Sequence, residues 1–313
     1  MGVVLFFSIY RKFTGGHLKA RHYLDHVLTS RDFTPRIWFS DNSRWQGDPF
    51  WDGISPLVVD HDHPIHPDVL FVGGRNWRLV DDYPALDPTI PILNLVQHVR
   101  HADEDDIRFE YLGRKAIRIC VSPEVETAIR AAGCVGPTVV IPNGIDLPVA
   151  EPDSAAARPV DLLVAGLKQP ETAIRVGHAL SAPGRAIEVL TERLPRNEFL
   201  NAVRRARVTL FLPHFEEGFY LPALEGMALG TVVVCPDCIG NRSFCLPAVN
   251  AFRPPYLIDD LIAATDAALT LGAEVMANLR RAAREMAQAH SIATERQLFH
   301  SVLDNIDVLW KES

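Results

Sequence analysis

The sequence predicts an α/β fold built on parallel sheets and divided into two domains, and three observations carry that expectation. Short apolar runs recur along the chain, at residues 3–9, 68–72, 91–96, 160–165 and 208–212. Each is too short for a core helix and apolar enough for a strand buried on both faces. Stretches of helical period separate several of these runs, so strand, helix and strand alternate as right-handed crossovers. A length of 313 residues suits about two domains. Residues 148–159, rich in Pro, Ala and charge, have the composition of the linker between them.

Bulk composition narrows the function. A hydrophobic share of 48% supports a real core in each domain. No apolar run approaches the roughly 20 residues that cross a bilayer. The opening MGVVLFFSIYRKF carries its charges after its apolar run and has no small-residue cleavage site, so it reads as a first strand and not as a secretion signal. A formal charge of −8 argues against a nucleic-acid partner. Five scattered cysteines, an odd number, argue against a disulfide framework and make a reducing cytoplasm the expected location. Arg11, Lys12, Lys19 and Arg21 near the first helix read as a solvated face or, as the alternative, a peripheral membrane contact.

In the N-terminal half, strand 3–9 leads through Thr14-Gly15-Gly16 into helix 17–28, with Leu18, Leu24, Val27 and Leu28 on its inner side. A glycine pair between a first strand and a helix allows backbone to approach a ligand closely, although an ordinary tight turn reads the same way. Strands are expected at 36–40 and 56–59. In the following loop His61, His63 and His66 have the residue types of a metal site, but their prolines and irregular spacing favour a plain surface loop. Strand 91–96 ends at Gln97-His98, where polar side chains point into the crevice at which parallel sheets bind ligands. The acidic run 102–106 reads as a solvated loop. Strand 116–122 and helix 123–132 follow, then strand 138–141 and the Asn143-Gly144 turn signal.

In the C-terminal half, strand 160–165 precedes Gly166 and helix 172–180; strand 186–190 and helix 198–205 come next. Strand 208–212, the polar loop 214–220, helix 222–229 with Pro222 in its first turn, the stop at Gly230 and strand 231–234 form one crossover unit. The amides of Phe219, Tyr220 and Leu221 lie at a helix N-terminus, a place that attracts phosphate. Glu217 precedes them and Glu225 lies one turn into the helix, so two carboxylates flank one site; a solvated pair is the bland alternative. Cys235 and Cys238 form a C-x-x-C with no second pair to complete a metal site, and read as packing at a strand end. Helices 275–289 and 294–310 close the chain, the second with Leu298, Phe299, Val302, Leu303, Ile306, Leu309 and Trp310 on one stripe.

The segment Glu217-Gly-Phe-Tyr-Leu-Pro-Ala-Leu-Glu225, continuing Gly-Met-Ala-Leu-Gly-Thr, resembles the Glu-x7-Glu motif of retaining GT-B glycosyltransferases of the large group-1, glycogen-synthase-like family. Ile141-Pro-Asn-Gly-Ile-Asp146 resembles that family's segment at the end of the first domain. The resemblance implies two Rossmann-like domains facing across a cleft: an acceptor-side domain over residues 1–150, a donor domain over 151–293, and a last helix, 294–313, crossing back to the first. It implies transfer of a sugar from a nucleotide-sugar donor to a glycan, lipid-linked glycan or small-molecule hydroxyl, with retention and without metal or cofactor. By the same resemblance Glu217 lies near the donor sugar, Glu225 holds the ribose, and Gly15, Gly16, Asn143, Gly166, Gly218, Phe219, Tyr220 and Leu221 line the donor; His17 and Lys19 are lesser candidates beside the glycine loop. His98 would approach the sugar, with His101 as its alternative. The family's Arg and Lys for the diphosphate are replaced by Leu167 and Thr172. A leaving diphosphate needs cations or amides to carry its charge, so Lys168, or else Arg175, is expected to substitute. That departure also keeps open a non-catalytic partner subunit, and an epimerase or phosphorylase on the same fold.

Overall fold

The computed structural model describes residues 1–84, 86–150 and 158–311. The chain divides into two compact units, Met1–Asn143 with Ile292–Ser313, and Gly144–Ser291. The break expected between residues 150 and 151 falls beside residues 151–157, which lie outside those described, as does most of the linker.

The first unit is a six-stranded parallel sheet in the order β2-β1-β3-β4-β5-β6. Its strands are β1 (Gly2–Ser8), β2 (Phe33–Phe39), β3 (Val69–Gly73), β4 (Ile92–Val96), β5 (Ile117–Cys120) and β6 (Thr138–Val140). Its helices are α1 (Gly15–Leu28), α2 (Trp77–Asp82) and α3 (Pro123–Ala131). Side chains alternate along β1 and both faces are covered, which is why the run is apolar throughout. Leu5 and Phe7 join Trp38, Val72, Trp77 and Tyr83 on one face. On the other Phe6 stacks on Phe71 at 4.5 Å, and Tyr23 of α1 meets Phe71 and Phe299 at 5.2 and 4.8 Å.

The second unit is a four-stranded parallel sheet in the order β10-β9-β7-β8. It comprises β7 (Val160–Ala165), α4 (Pro170–Ala179), β8 (Ile187–Leu190), α5 (Arg196–Arg205), β9 (Ala206–Phe211), α6 (Leu221–Ala228), β10 (Val232–Val234), α7 (Ile258–Leu269) and α8 (Ala273–Ala289). Leu162, Val164, Val208, Leu210, Val232 and Val234 pack one face against α4, α7 and α8. No helix among the described residues is long and apolar enough to cross a membrane.

Two expected elements differ. Residues 56–59 are not a strand: Ser55–Leu57 is a single 3-10 turn, and only Val58 bridges β2, through Ile37. Proline at 56 favours the turn and removes a ladder donor. The helix α7, whose start carries Asp259 and Asp260, begins at Ile258, just past residues 253–256 where the resemblance places the entry of a helix. The tail helix is broken at Asn305 into α9 (Ile292–Asp304) and α10 (Ile306–Lys311); Phe299, Val302, Leu303 and Ile306 are buried, whereas Leu298 is exposed.

Candidate functional site

In the second unit, β7 pairs with β8 on one side and β9 on the other, so the chain reverses its direction of travel across the sheet at β7. The crevice beyond the carboxyl ends of β7 and β9 is where such a sheet takes ligands. Two short loops deliver side chains there. After β7, Gly166 turns the chain toward α4; a Cβ on it would lie 2.1 Å from Ala173 Cβ, so the close approach of loop and helix excludes a side chain. Lys168 projects from this turn and forms an ion pair with Glu217, from the loop after β9. The lysine head also sits over the Tyr220 ring, 5.4 Å from its centroid. The side chains remain 36% and 17% exposed, so the pair is accessible. Arg175, the other expected cation, faces a separate surface hollow with His178 and Asp259. Leu167 points to solvent.

The segment from Glu217 to Leu221 is held from behind by the loop after β10. A Cβ on Gly240 would lie 2.6 Å from Glu217 O and 2.7 Å from Phe219 N, so only glycine fits at 240. Phe219 and Tyr220 are buried, with Phe219 stacked on Phe244 at 4.9 Å. The expectation of free amides at 219–221 needs correction. Tyr220 N–H donates to Gly240 O at 2.9 Å and Leu221 N–H to Phe219 O at 3.2 Å. The amides of Gly218 and Phe219, both in buried residues, make no hydrogen bond among the described residues. Buried N–H groups without acceptors are costly, so the anion-seeking donors lie one residue earlier in the chain than the sequence indicated.

Glu225 is 2% exposed on α6. Arg196, the first residue of α5, reaches it with Nη2 2.6 Å from Oε1, yet Oε1 has no aligned hydrogen bond. Arg196 was missed by sequence reasoning; a lone arginine after Pro195 carries no motif. A ribose would meet Glu225 only with Arg196 moved aside.

In the first unit, Thr14 caps α1 by accepting the His17 amide at 3.3 Å. Gly15 and Gly16 form the first turn, and Gln97 Nε2 at the end of β4 donates to Gly16 O at 3.4 Å. His17 is fixed between Thr14 Oγ1 and Ile9 O, at 2.8 and 3.2 Å, and burial pushes its pKa down. Lys19 is not near this loop's surface. It is 1% exposed and bound to Glu295 of α9, which removes it both as a ligand contact and from any membrane-facing group. Arg21 is likewise engaged, by Asp25 and Phe50 O. His98 caps a short turn after β4, accepting the Arg100 amide on Nδ1 at 3.1 Å, and is half-buried. His101, its alternative, is 4% exposed, and burial together with nearby Arg108 pushes its pKa to about 3, so it belongs to the core. Asn143 is 3% exposed with Oδ1 lacking a partner.

The remaining motifs are structural. His61 stacks flat on Trp38 at 4.0 Å and spends its two ring nitrogens on Phe39 O and Asp41 Oδ1, both at 2.8 Å. No cluster of metal-ligating side chains occurs among the described residues. All five cysteines are free; Cys235 and Cys238 are fully buried, and Asn241 Nδ2 donates to Cys235 Sγ at 3.2 Å.

No family model matches this chain, and no curated protein matches it. Solved structures do. Sucrose-phosphate synthase from Thermosynechococcus elongatus is 15% identical with a TM-score of 0.71, over 98% of this chain and 100% of that one. HepE from Anabaena, solved with UDP and glucose, is 15% identical with a TM-score of 0.75, over 97% and 100%. The lipopolysaccharide outer core galactosyltransferase WaaB is 12% identical with a TM-score of 0.69, over 97% and 99%. At such identities the likeness establishes the fold: this chain has the GT-B fold, with two Rossmann-like α/β units.

Proposed function

We propose that the chain transfers a sugar from a nucleotide-sugar donor to an acceptor hydroxyl, with retention, the second unit holding the donor and the first the acceptor. The observation that carries the reading is the convergence of Lys168 and Glu217 at the carboxyl ends of β7 and β9, beside the Gly218 and Phe219 amides. A cation and two donors there suit a diphosphate; the adjacent carboxylate suits sugar hydroxyls. Lys168 neutralises Glu217. An arriving diphosphate competes for the ammonium and frees Glu217 to accept hydrogen bonds from the sugar. As the bond from the anomeric carbon to the phosphate oxygen breaks, the charge growing on the diphosphate falls to Lys168 and the two amides, so the scheme needs no metal. Among the described residues no carboxylate is assigned as a nucleophile in this scheme. The acceptor oxygen therefore attacks from the face the diphosphate leaves, and the leaving phosphate oxygen takes the acceptor's proton. Gly166, Tyr220 and Leu221 of the second unit complete the expected donor contacts.

One observation favours a second, non-catalytic reading: Glu225 is sealed under Arg196. A single experiment separates the two. The protein is screened by thermal shift against a panel of nucleotide sugars, and release of the nucleoside diphosphate is then measured with the best binder. Transfer or slow donor hydrolysis is expected, reduced about 10²–10³-fold in Glu217→Ala, the loss typical of removing one electrostatic group from a transition state. Binding without turnover supports the partner role. Unchanged turnover in Glu217→Ala removes that carboxylate from the mechanism.

A further inference from the structure

The first unit holds a cavity of about 1040 Å³. It lies at the carboxyl ends of β1 to β4, where β1 pairs with β2 on one side and β3 on the other, the reversal point of this sheet. That volume is ample for a small ligand. Its wall is built. Asn76 Nδ2 donates to Phe7 O at 2.7 Å and Asn76 Oδ1 accepts the Ile9 amide at 3.2 Å, which ties the loop after β3 to the end of β1. Opposite, the stacked Trp38 and His61 form a rigid flat side, with His61 locked by its two hydrogen bonds.

The charge inside is the unexpected feature. The chain as a whole carries −8, and several arginines elsewhere are ion-paired, such as Arg114 to Asp81, Arg207 to Asp161 and Arg242 to Asp237. Yet Arg11, Lys12 and Arg75 all line this one cavity, and their side chains make no hydrogen bond or ion pair among the described residues. Arg78 lines it as well, against two acids, Asp41, which is held by His61, and Asp82. With four basic and two acidic side chains on its wall, the cavity carries a net positive charge that draws an anion in. Three separate heads exceed the need of one carboxylate and match the three terminal acceptor oxygens of a phosphate monoester.

We propose that this cavity binds a phosphate-bearing molecule through Arg11, Lys12 and Arg75, and that this molecule is the acceptor. Naming it the acceptor rests on the glycosyl-transfer reading; the phosphate site does not.

Calorimetry of the full chain tests the proposal with glucose 1-phosphate, glucose and glucuronate as probes, and with vesicles of phosphatidylcholine with and without phosphatidic acid. Glucose 1-phosphate is expected to bind, glucose to bind at least tenfold more weakly, and Arg75→Ala and Lys12→Ala each to weaken the phosphate probe by roughly tenfold. Binding confined to the phosphatidic-acid vesicles, and lost in the same variants, assigns the phosphate to a lipid headgroup. Equal binding of glucuronate, or no phosphate-dependent binding to any probe, overturns the proposal. The thermal shift given by nucleotide sugars should be unchanged in Arg75→Ala. If that shift is absent from the wild type while glucose 1-phosphate still binds, the donor reading fails and the phosphate site stands.

Discussion

Two lysine–glutamate pairs, one in each unit, put the same two functional groups to opposite uses. Lys19 and Glu295 are 1% and 0% exposed and join α1 to α9. Glu295 also meets His26 Nε2 at 3.0 Å and lies 4.0 Å from His22, so its oxygens are saturated by the protein. Lys168 and Glu217 meet at a strand-end crevice, each partly open, with unpaired amides alongside. The first pair has nothing to offer a ligand. The second holds its charges in reserve, neutralised by each other until something displaces them. What separates structure from function here is what else surrounds each pair.

The largest effect distinguishing them is on stability. Lys19→Met strands a buried carboxylate, which costs about 3–5 kcal/mol when one partner of an enclosed pair is removed. Urea unfolding of the full chain should show the transition of the first unit moving to clearly lower denaturant. Lys19→Met combined with Glu295→Leu removes both charges and should recover most of the loss, because apolar replacements of buried pairs are often neutral. A single variant that unfolds at the wild-type urea concentration would make the pair dispensable and end the contrast.

The sequence made the sheets legible and left the surroundings of their charges dark. Apolar runs such as β1, β7 and β9 announce buried strands because both faces of a parallel sheet must be covered, and that requirement is local. Turn chemistry put Glu217 in the loop at a strand end, and the resemblance to the Glu-x7-Glu motif added Gly218 and Lys168 as candidates. Lys19 was not. Nothing in Gly-Gly-His-Leu-Lys distinguishes a solvated lysine from one covered by a helix that begins at residue 292. Arg118 is the same case, fully buried in β5, its two Nη groups donating to Asn94 Oδ1 and to the carbonyls of Tyr111 and Leu112. The shift of the free amides from 219–221 to Gly218 and Phe219 depends on Gly240 O, again a distant partner. The cationic cavity escaped notice because its walls come from four separate loops, each ordinary when read alone.

A smaller effect sharpens the enclosed pair. Burial lowers the pKa of His26, outweighing the pull of its hydrogen bond to Glu295. A histidine held below its unfolded value of about 6.5 takes up its proton more readily when the chain is unfolded. Stability should therefore be fully present above that value and fall as the pH drops through it. His26→Gln keeps a donor toward Glu295 and removes the titration. Urea midpoints between pH 7.5 and 5.5 should decline less steeply in the variant than in the wild type. His17, His101 and His290 are lowered by burial as well and account for the remaining slope. Parallel slopes would show that His26 takes up its proton in the folded cluster as readily as in the unfolded chain.

The smallest expected effect on stability belongs to the open pair. With Lys168 more than a third exposed, water and salt screen it from Glu217, and Lys168→Met should change the unfolding free energy by no more than about 1 kcal/mol. The same variant should abolish the thermal shift produced by whichever nucleotide sugar binds the wild type, because the cation that meets the diphosphate is gone. The two readouts are expected to move in opposite ways for the two lysines: Lys19→Met lowers the midpoint but leaves the ligand-induced shift at equal fractional folding, whereas Lys168→Met preserves the midpoint and loses the shift. If Lys168→Met instead destabilises the chain as strongly as Lys19→Met while ligand binding persists, Lys168 and Glu217 are a second structural clamp. The donor site must then be sought away from β7 and β9.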